Sequence, residues 1–159
     1  MKNFWRSVVT FLALSSSFAL LPLKAWALEF IVIGVRGEIL LEQNVEGSML
    51  LGTTVGKITH RILTSAFAGK SLQEYQGSYQ GVRSINFLGS ALEVLSDREM
   101  LAYGWCYQID GKFSDRLAHE YVLNGKENQM KWTYSFARFD TDRWVSMCEP
   151  ATRVPPKEE

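Results

Sequence analysis

The chain has 159 residues, 47% of them hydrophobic and 21% charged, with 17 basic residues against 17 acids. That length suits one domain, the apolar and aromatic content is enough to fill a core, and the charge balance lacks the basic excess with which nucleic-acid binders neutralise phosphates. The balance is uneven along the chain. Lys2, Arg6 and Lys24 fall within the first 27 residues, which hold no acid, so the remainder carries three more acids than bases.

Lys2 and Arg6 precede a mostly apolar stretch from Val8 to Leu21, interrupted by Thr10 and by Ser15 to Ser17. Pro22 ends it, and Ala25-Trp26-Ala27 puts small residues at the two positions a signal peptidase reads. Charged start, apolar middle and small-x-small exit make residues 1–27 a secretory signal. As a helix the apolar stretch spans roughly 21 Å, short of the ~30 Å hydrocarbon core, which disfavours the alternative of an uncleaved anchor. The mature chain is then Leu28 to Glu159, exported to the periplasm or the extracellular space, with no membrane span after cleavage.

Leu28 to Val35, rich in β-branched residues, reads as a strand. Arg36-Gly37-Glu38 turns it into a second strand, Ile39 to Val45. Thr53 and Thr54 offer N-cap hydroxyls to a helix of about 13 residues with Val55, Ile58, Ile62 and Ala66 on one face, and Gly69 stands where a helix ends. His60 lies off that stripe and reads as a solvated helix residue. Gln73 to Gly81 is polar and reads as a loop. Val82 to Phe87 is a short strand, Ala91 to Leu95 a further short strand or turn, and Ser96 to Glu99 caps a single helical turn. Tyr103, Trp105, Tyr107 and Ile109 share one parity, Gly104, Cys106 and Gln108 the other, and Asp110-Gly111 is a hairpin turn. After Asn124-Gly125, Met130, Trp132, Tyr134 and Phe136 alternate as a second aromatic strand, which Arg143 to Val145 extends or packs beside. Residues 149–159 turn to proline and charge and read as a flexible tail. One domain, 28–148, remains, with an α+β order of elements: a β-grasp-like mixed sheet with one helix packed across it.

In an exported chain the two cysteines, Cys106 and Cys148, are most simply a disulfide. Free thiols or a bridge to a partner are the alternatives. The C-x-x-C spacing of a redox pair is absent, and two lone cysteines without a nearby histidine make a poor zinc site, so no metal is expected.

The segment from Tyr103 to Phe113, with Gly104-Trp105-Cys106-Tyr107-Gln108-Ile109-Asp110-Gly111-Lys112 inside it, resembles the Gly-Trp-x-Tyr-x-(Val/Ile)-(Asn/Asp)-Gly-Lys signature of the transcobalamin-like C-terminal domain family, which also occurs in exported bacterial proteins. Ser84-Ile85-Asn86 resembles that family's Ser-Ile-Asn-Gly strand, although Phe87-Leu88 intervene before Gly89. Tyr121-Val122-Leu123, followed by Trp132-Thr133-Tyr134, is similar to its ending, with Gly125 to Gln129 in place of the usual Gly-Asp. The resemblance implies a small domain that clamps a corrinoid with the strand around its tryptophan. Carried over by motif, the ligand-binding candidates are Trp105, Cys106 and Tyr107, with Tyr103 and Phe113 at the motif's ends. The helical domain that completes the pocket in the cobalamin carriers has no counterpart in this sequence.

No catalytic constellation appears. His60 and His119 have no metal-ligand spacing, no phosphate loop or nucleophile motif is present, and Glu74, Asp97, Glu99 and Asp115 read as solvated acids. The expectation is a non-enzymatic exported binding module without a cofactor, taking a cobalamin-like small molecule or an envelope protein on an aromatic sheet face. The alternative is an adaptor subunit of an envelope assembly that docks by a sheet edge.

Overall fold

The structure is a computed structural model that describes residues 27–156. The secretory signal assigned to residues 1–27 lies outside the described residues except for Ala27, and so do residues 157–159. The elements are β1 (Ala27–Ile33), β2 (Ile39–Glu46), α1 (Val55–Ala68), β3 (Tyr75–Ser78), β4 (Gly81–Ile85), β5 (Leu88–Gly89), β6 (Ala91–Ser96), β7 (Glu99–Ile109), β8 (Lys112–Phe113), β9 (Gln129–Asp140) and β10 (Arg143–Pro150). The class is α+β, one helix with two sheets. The 7-stranded sheet runs β2-β1-β9-β7-β6, with β8 beside β7 and β10 beside β9, and β3-β4-β5 form a 3-stranded sheet of their own.

β9 organises the main sheet. β7 pairs with it antiparallel along one edge, from Ile109 opposite Met130 to Glu99 opposite Asp140. On the other edge β1 runs parallel to its first half, Glu29 opposite Gln129 through Ile33 opposite Thr133, and β10 runs antiparallel to its second half. This register sets the two aromatic stripes directly across from one another: Tyr103 opposite Phe136, Trp105 opposite Tyr134, Tyr107 opposite Trp132. Residues of one parity share a face, so the stripes form a single surface of the sheet.

That surface is covered, in two parts. Helix α1 starts where Thr54 Oγ1 accepts the Lys57 N–H at 3.3 Å and ends at Gly69. Its buried Val55, Ile58, Ile62 and Leu63 belong to one core with Leu28, Phe30 and Val32 of β1, Met130 and Trp132 of β9, and Tyr107 and Ile109 of β7. Helical spacing of the apolar residues produces this seam. The Trp132 indole N–H fastens it by donating to Thr59 Oγ1 at 2.9 Å. The upper part is a second core of Val35, Tyr103, Tyr134 and Ala151, with Leu88, Leu101 and Phe136 packed against it.

The hairpin turn at Asp110-Gly111 has φ of 50° and 77°, as a two-residue primed turn requires. The Asp110 carboxylate also accepts the N–H groups of Asn128 and Gln129, each at 2.9 Å, which joins the turn to the start of β9.

Cys106 and Cys148 form a disulfide with Cα atoms 5.8 Å apart. Cys148 stands in an irregularity of β10, between Ser146 opposite Arg138 and Glu149 opposite Phe136, with φ of 58°. The bond ties β10 back to β7, on the far side of β9.

Three expectations are corrected. The polar stretch Gln73 to Gly81 is not all loop: Tyr75–Ser78 is strand β3, paired with β4, because backbone pairing and the half-buried Tyr75 outweigh weak strand propensity. Ser96 to Glu99 caps no helical turn. Ser96 and Glu99 pair across the tight turn between β6 and β7, whose flanking strands continue the sheet. The tail does not start at Glu149, since β10 runs to Pro150 and Ala151 is only 2% exposed, with its N–H on the Tyr134 carbonyl.

Candidate functional site

Between the last residue of β7 paired with β6, Tyr103, and the first paired with β8, Gln108, the outer edge of β7 has no strand partner. A groove of about 260 Å³ opens there, lined among others by Trp105, Cys106, Tyr107, Trp132, Arg116 and Cys148. Three of the five candidate residues, Trp105, Cys106 and Tyr107, therefore come together, joined by both halves of the cystine.

The polar ends of these aromatics are already engaged. Trp105 Nε1 donates to the Leu88 carbonyl at 2.8 Å and Trp132 Nε1 to Thr59. The Tyr107 hydroxyl is 2.7 Å from Ser114 Oγ and 2.6 Å from the Arg116 carbonyl, and burial pushes its pKa up. Buried tyrosine and tryptophan normally satisfy their N–H and O–H groups in this way. What the groove offers a ligand is aromatic surface, Arg116 and the cystine.

Tyr103 and Phe113 stand elsewhere. Tyr103 is buried in the second core, stacked on Tyr134 with centroids 6.3 Å apart, and its hydroxyl donates to Glu93 at 2.8 Å. Phe113, in the two-residue strand β8, is exposed and takes no part in the groove.

The polar residues are more engaged than the sequence suggests. His60, expected to be solvated, has Nδ1 3.0 Å from the Tyr75 hydroxyl, and burial pushes the Tyr75 pKa up to about 12. Glu74 accepts from Ser84 Oγ at 2.8 Å and from the Phe87 N–H at 2.9 Å, and Glu99 pairs with Arg138 at 2.7 Å, so neither is the free acid it was expected to be. Both sit beside donors that strand pairing brings close from other elements. His119 Nε2 lies 3.9 Å from Glu120. Among the described residues no three His, Cys, Asp or Glu side chains gather as a metal site would need.

Sequence reasoning missed a second surface. The sheet face opposite the stripes carries Leu92 and Val94 of β6, Met100 and Ala102 of β7, and Phe139 of β9, with Val94 opposite Met100 and Met100 opposite Phe139. Trp144 of β10 pairs with Phe139, and their rings meet edge-on at 5.4 Å. Val94 is 75%, Leu92 52% and Trp144 47% exposed. Beside this face β6 is an edge strand. The available signal was the alternation of Leu92 and Val94 about Glu93, hidden by the brevity of the segment.

No family model, no curated protein and no solved structure matches this chain.

Proposed function

We propose that this chain is an exported, non-enzymatic β-grasp-like module that docks on a protein partner through the outer face and open edge of β6. The β-grasp reading is supported by the first hairpin, the helix that follows it across the sheet, and the parallel pairing of the first strand with β9 at the sheet's centre. Export is supported by the disulfide, which needs an oxidising compartment to persist.

One observation carries the docking site: an exposed apolar face adjoining an edge strand whose one charged residue, Glu93, is turned to the opposite face and paired there with Arg153. Proteins usually guard edge strands with charge. The opposite edge, β2, follows that rule with Glu42, Gln43, Asn44 and Glu46, whereas β6 reads Ala-Leu-Glu-Val-Leu-Ser. Such an edge suits β-augmentation, in which a partner strand extends the sheet and its side chains fill the apolar face. A photo-crosslinking residue at position 94 should trap one discrete partner in cells, while the same residue at position 43 on β2 should not. Equal trapping at both positions, or none at 94, overturns this reading.

A second reading keeps the resemblance to the transcobalamin-like family and places a corrinoid-like ligand against Trp105, Cys106 and Tyr107. Its support is that these three residues line one groove. At about 260 Å³ the groove falls just below the ~300–1,000 Å³ usual for ligand sites, so the ligand would lie on it, closed over by a partner. Saturable quenching of tryptophan fluorescence by cobalamin, corrected for inner-filter absorption and accompanied by a raised Tm, selects this reading. A flat titration removes it.

A further inference from the structure

Past β10 the chain folds back onto the covered face. The Ala151 carbonyl accepts the Arg36 N–H at 3.1 Å, and the Thr152 carbonyl accepts Arg36 Nε at 3.3 Å. Arg153 then donates to both oxygens of Glu93, at 2.5 and 2.7 Å, and the same carboxylate accepts the Tyr103 hydroxyl. These partners hold the Glu93 carboxyl below its ordinary pKa, Arg153 most strongly. Beyond Arg153 the hold stops. Among the described residues Val154, Pro155 and Pro156 make no hydrogen bond, and Val154 is exposed.

Open space flanks this segment on both sides. A cavity of about 370 Å³ lies between Val154–Pro156 and the stretch Phe87 to Ala91, with Tyr134 contributing to its wall. Another, of about 490 Å³, separates Val154 from Val35, Arg36 and Glu38. The segment thus lies in a trough wider than itself, held at its start by the Thr152–Arg36 hydrogen bond and beyond that by the Arg153–Glu93 ion pair.

We propose that Thr152–Pro156 is a displaceable strap. It fills in cis a groove beside Tyr134 that in trans takes an extended peptide containing arginine and proline, whose arginine replaces Arg153 on Glu93. The occupant's chemistry follows from what already sits there. A Pro-Pro pair brings no backbone N–H to satisfy and holds an extended form at low entropic cost, the property exploited wherever aromatic-walled grooves take proline-rich segments. Glu93 supplies the complementary charge and fixes the register. This surface is separate from the outer face of β6, so the inference stands whether or not that face docks a partner.

The test is fluorescence anisotropy with a labelled, end-blocked peptide Thr-Arg-Val-Pro-Pro added to the mature chain. In the unaltered protein the strap competes at a high effective concentration and binding is weak. R153A frees Glu93 while leaving the groove intact, and should tighten binding by about tenfold or more. Adding E93Q to R153A should reverse that gain. Thermal melting confirms that each variant is folded, and P155G/P156G, which loosens the strap without touching the ion pair, should shift affinity in the same direction if R153A does not fold. Equal binding to the unaltered chain and the folded strap variant, or binding that survives R153A/E93Q unchanged, overturns the proposal.

Discussion

Replacing Thr59 by valine keeps the shape of the side chain and removes one oxygen, the acceptor of the Trp132 indole N–H. Both residues are almost fully buried, Thr59 at 1% and Trp132 at 2% exposure. Among the described residues the hydroxyl's only other partner is the Met130 sulfur at 3.6 Å, a weak acceptor. T59V therefore strands a buried donor, which costs about 1–3 kcal/mol, while helix propensity changes little because threonine and valine rank close together. W132F removes the donor and leaves a void, and is expected to cost about 2 kcal/mol. In the double variant no donor remains to be stranded, so T59V/W132F should be more stable than the summed single effects by about 1–2 kcal/mol. Urea denaturation with the disulfide intact, followed by far-ultraviolet circular dichroism, measures all four corners of the cycle, and T59V alone should lower Tm by about 7 °C. A T59V loss under about 0.5 kcal/mol, or an additive cycle, refutes the claim that this bond fastens helix to sheet.

Breaking the disulfide opens a link between residues 42 apart in sequence, which removes up to about 4 kcal/mol by chain entropy; C106S/C148S should lower the urea midpoint correspondingly. Tyr75 and Tyr134 are held neutral by burial up to about 12. Because their folded pKa values lie above the ordinary value, the stability they contribute is complete below pH 10 and is lost as pH rises toward 12. Alkaline titration followed by phenolate absorbance should show Tyr75 and Tyr134 among the late-ionising tyrosines, with unfolding over the same window. Gly56 lies inside α1, where a Cβ would run into the Tyr79 carbonyl; G56A, normally a gain of about 1 kcal/mol in a helix, should instead destabilise the fold sharply in thermal melts.

Local chemistry made much of this fold legible. Thr54 and Gly69 delimit the helix because capping is decided within one turn. Asp110-Gly111 identifies its hairpin because few residues accept its dihedral angles. The parity of Tyr103, Trp105 and Tyr107 correctly groups them on one face, and reading the two cysteines as a disulfide correctly pairs Cys106 with Cys148. What stayed hidden depends on distant chain. Parity cannot say which face is covered; that depends on Leu88 and Ala151, which arrive from β5 and from beyond β10 to close the second core. Tyr103 left the candidate site for the same reason. Strand β3 exists because β4 pairs with it, and the apolar outer face arises only when Leu92, Met100, Phe139 and Trp144 are assembled from separate strands.

The parallel pairing of β1 with β9 also governs when the molecule can fold. Phe30 and Val32 need Met130 and Trp132 beside them, so the first strand must wait for residues 100 positions downstream. Helices and hairpins form in microseconds, whereas closing so long a loop comes late and slowly. During synthesis the N-terminal hairpin and α1 have no completed sheet to lie on, and they stay open until β9 has emerged. A chain that cannot lock its first strand before its last quarter is made keeps that strand unlocked through most of its synthesis. The topology, and not local propensity, thus sets the moment at which the main sheet closes.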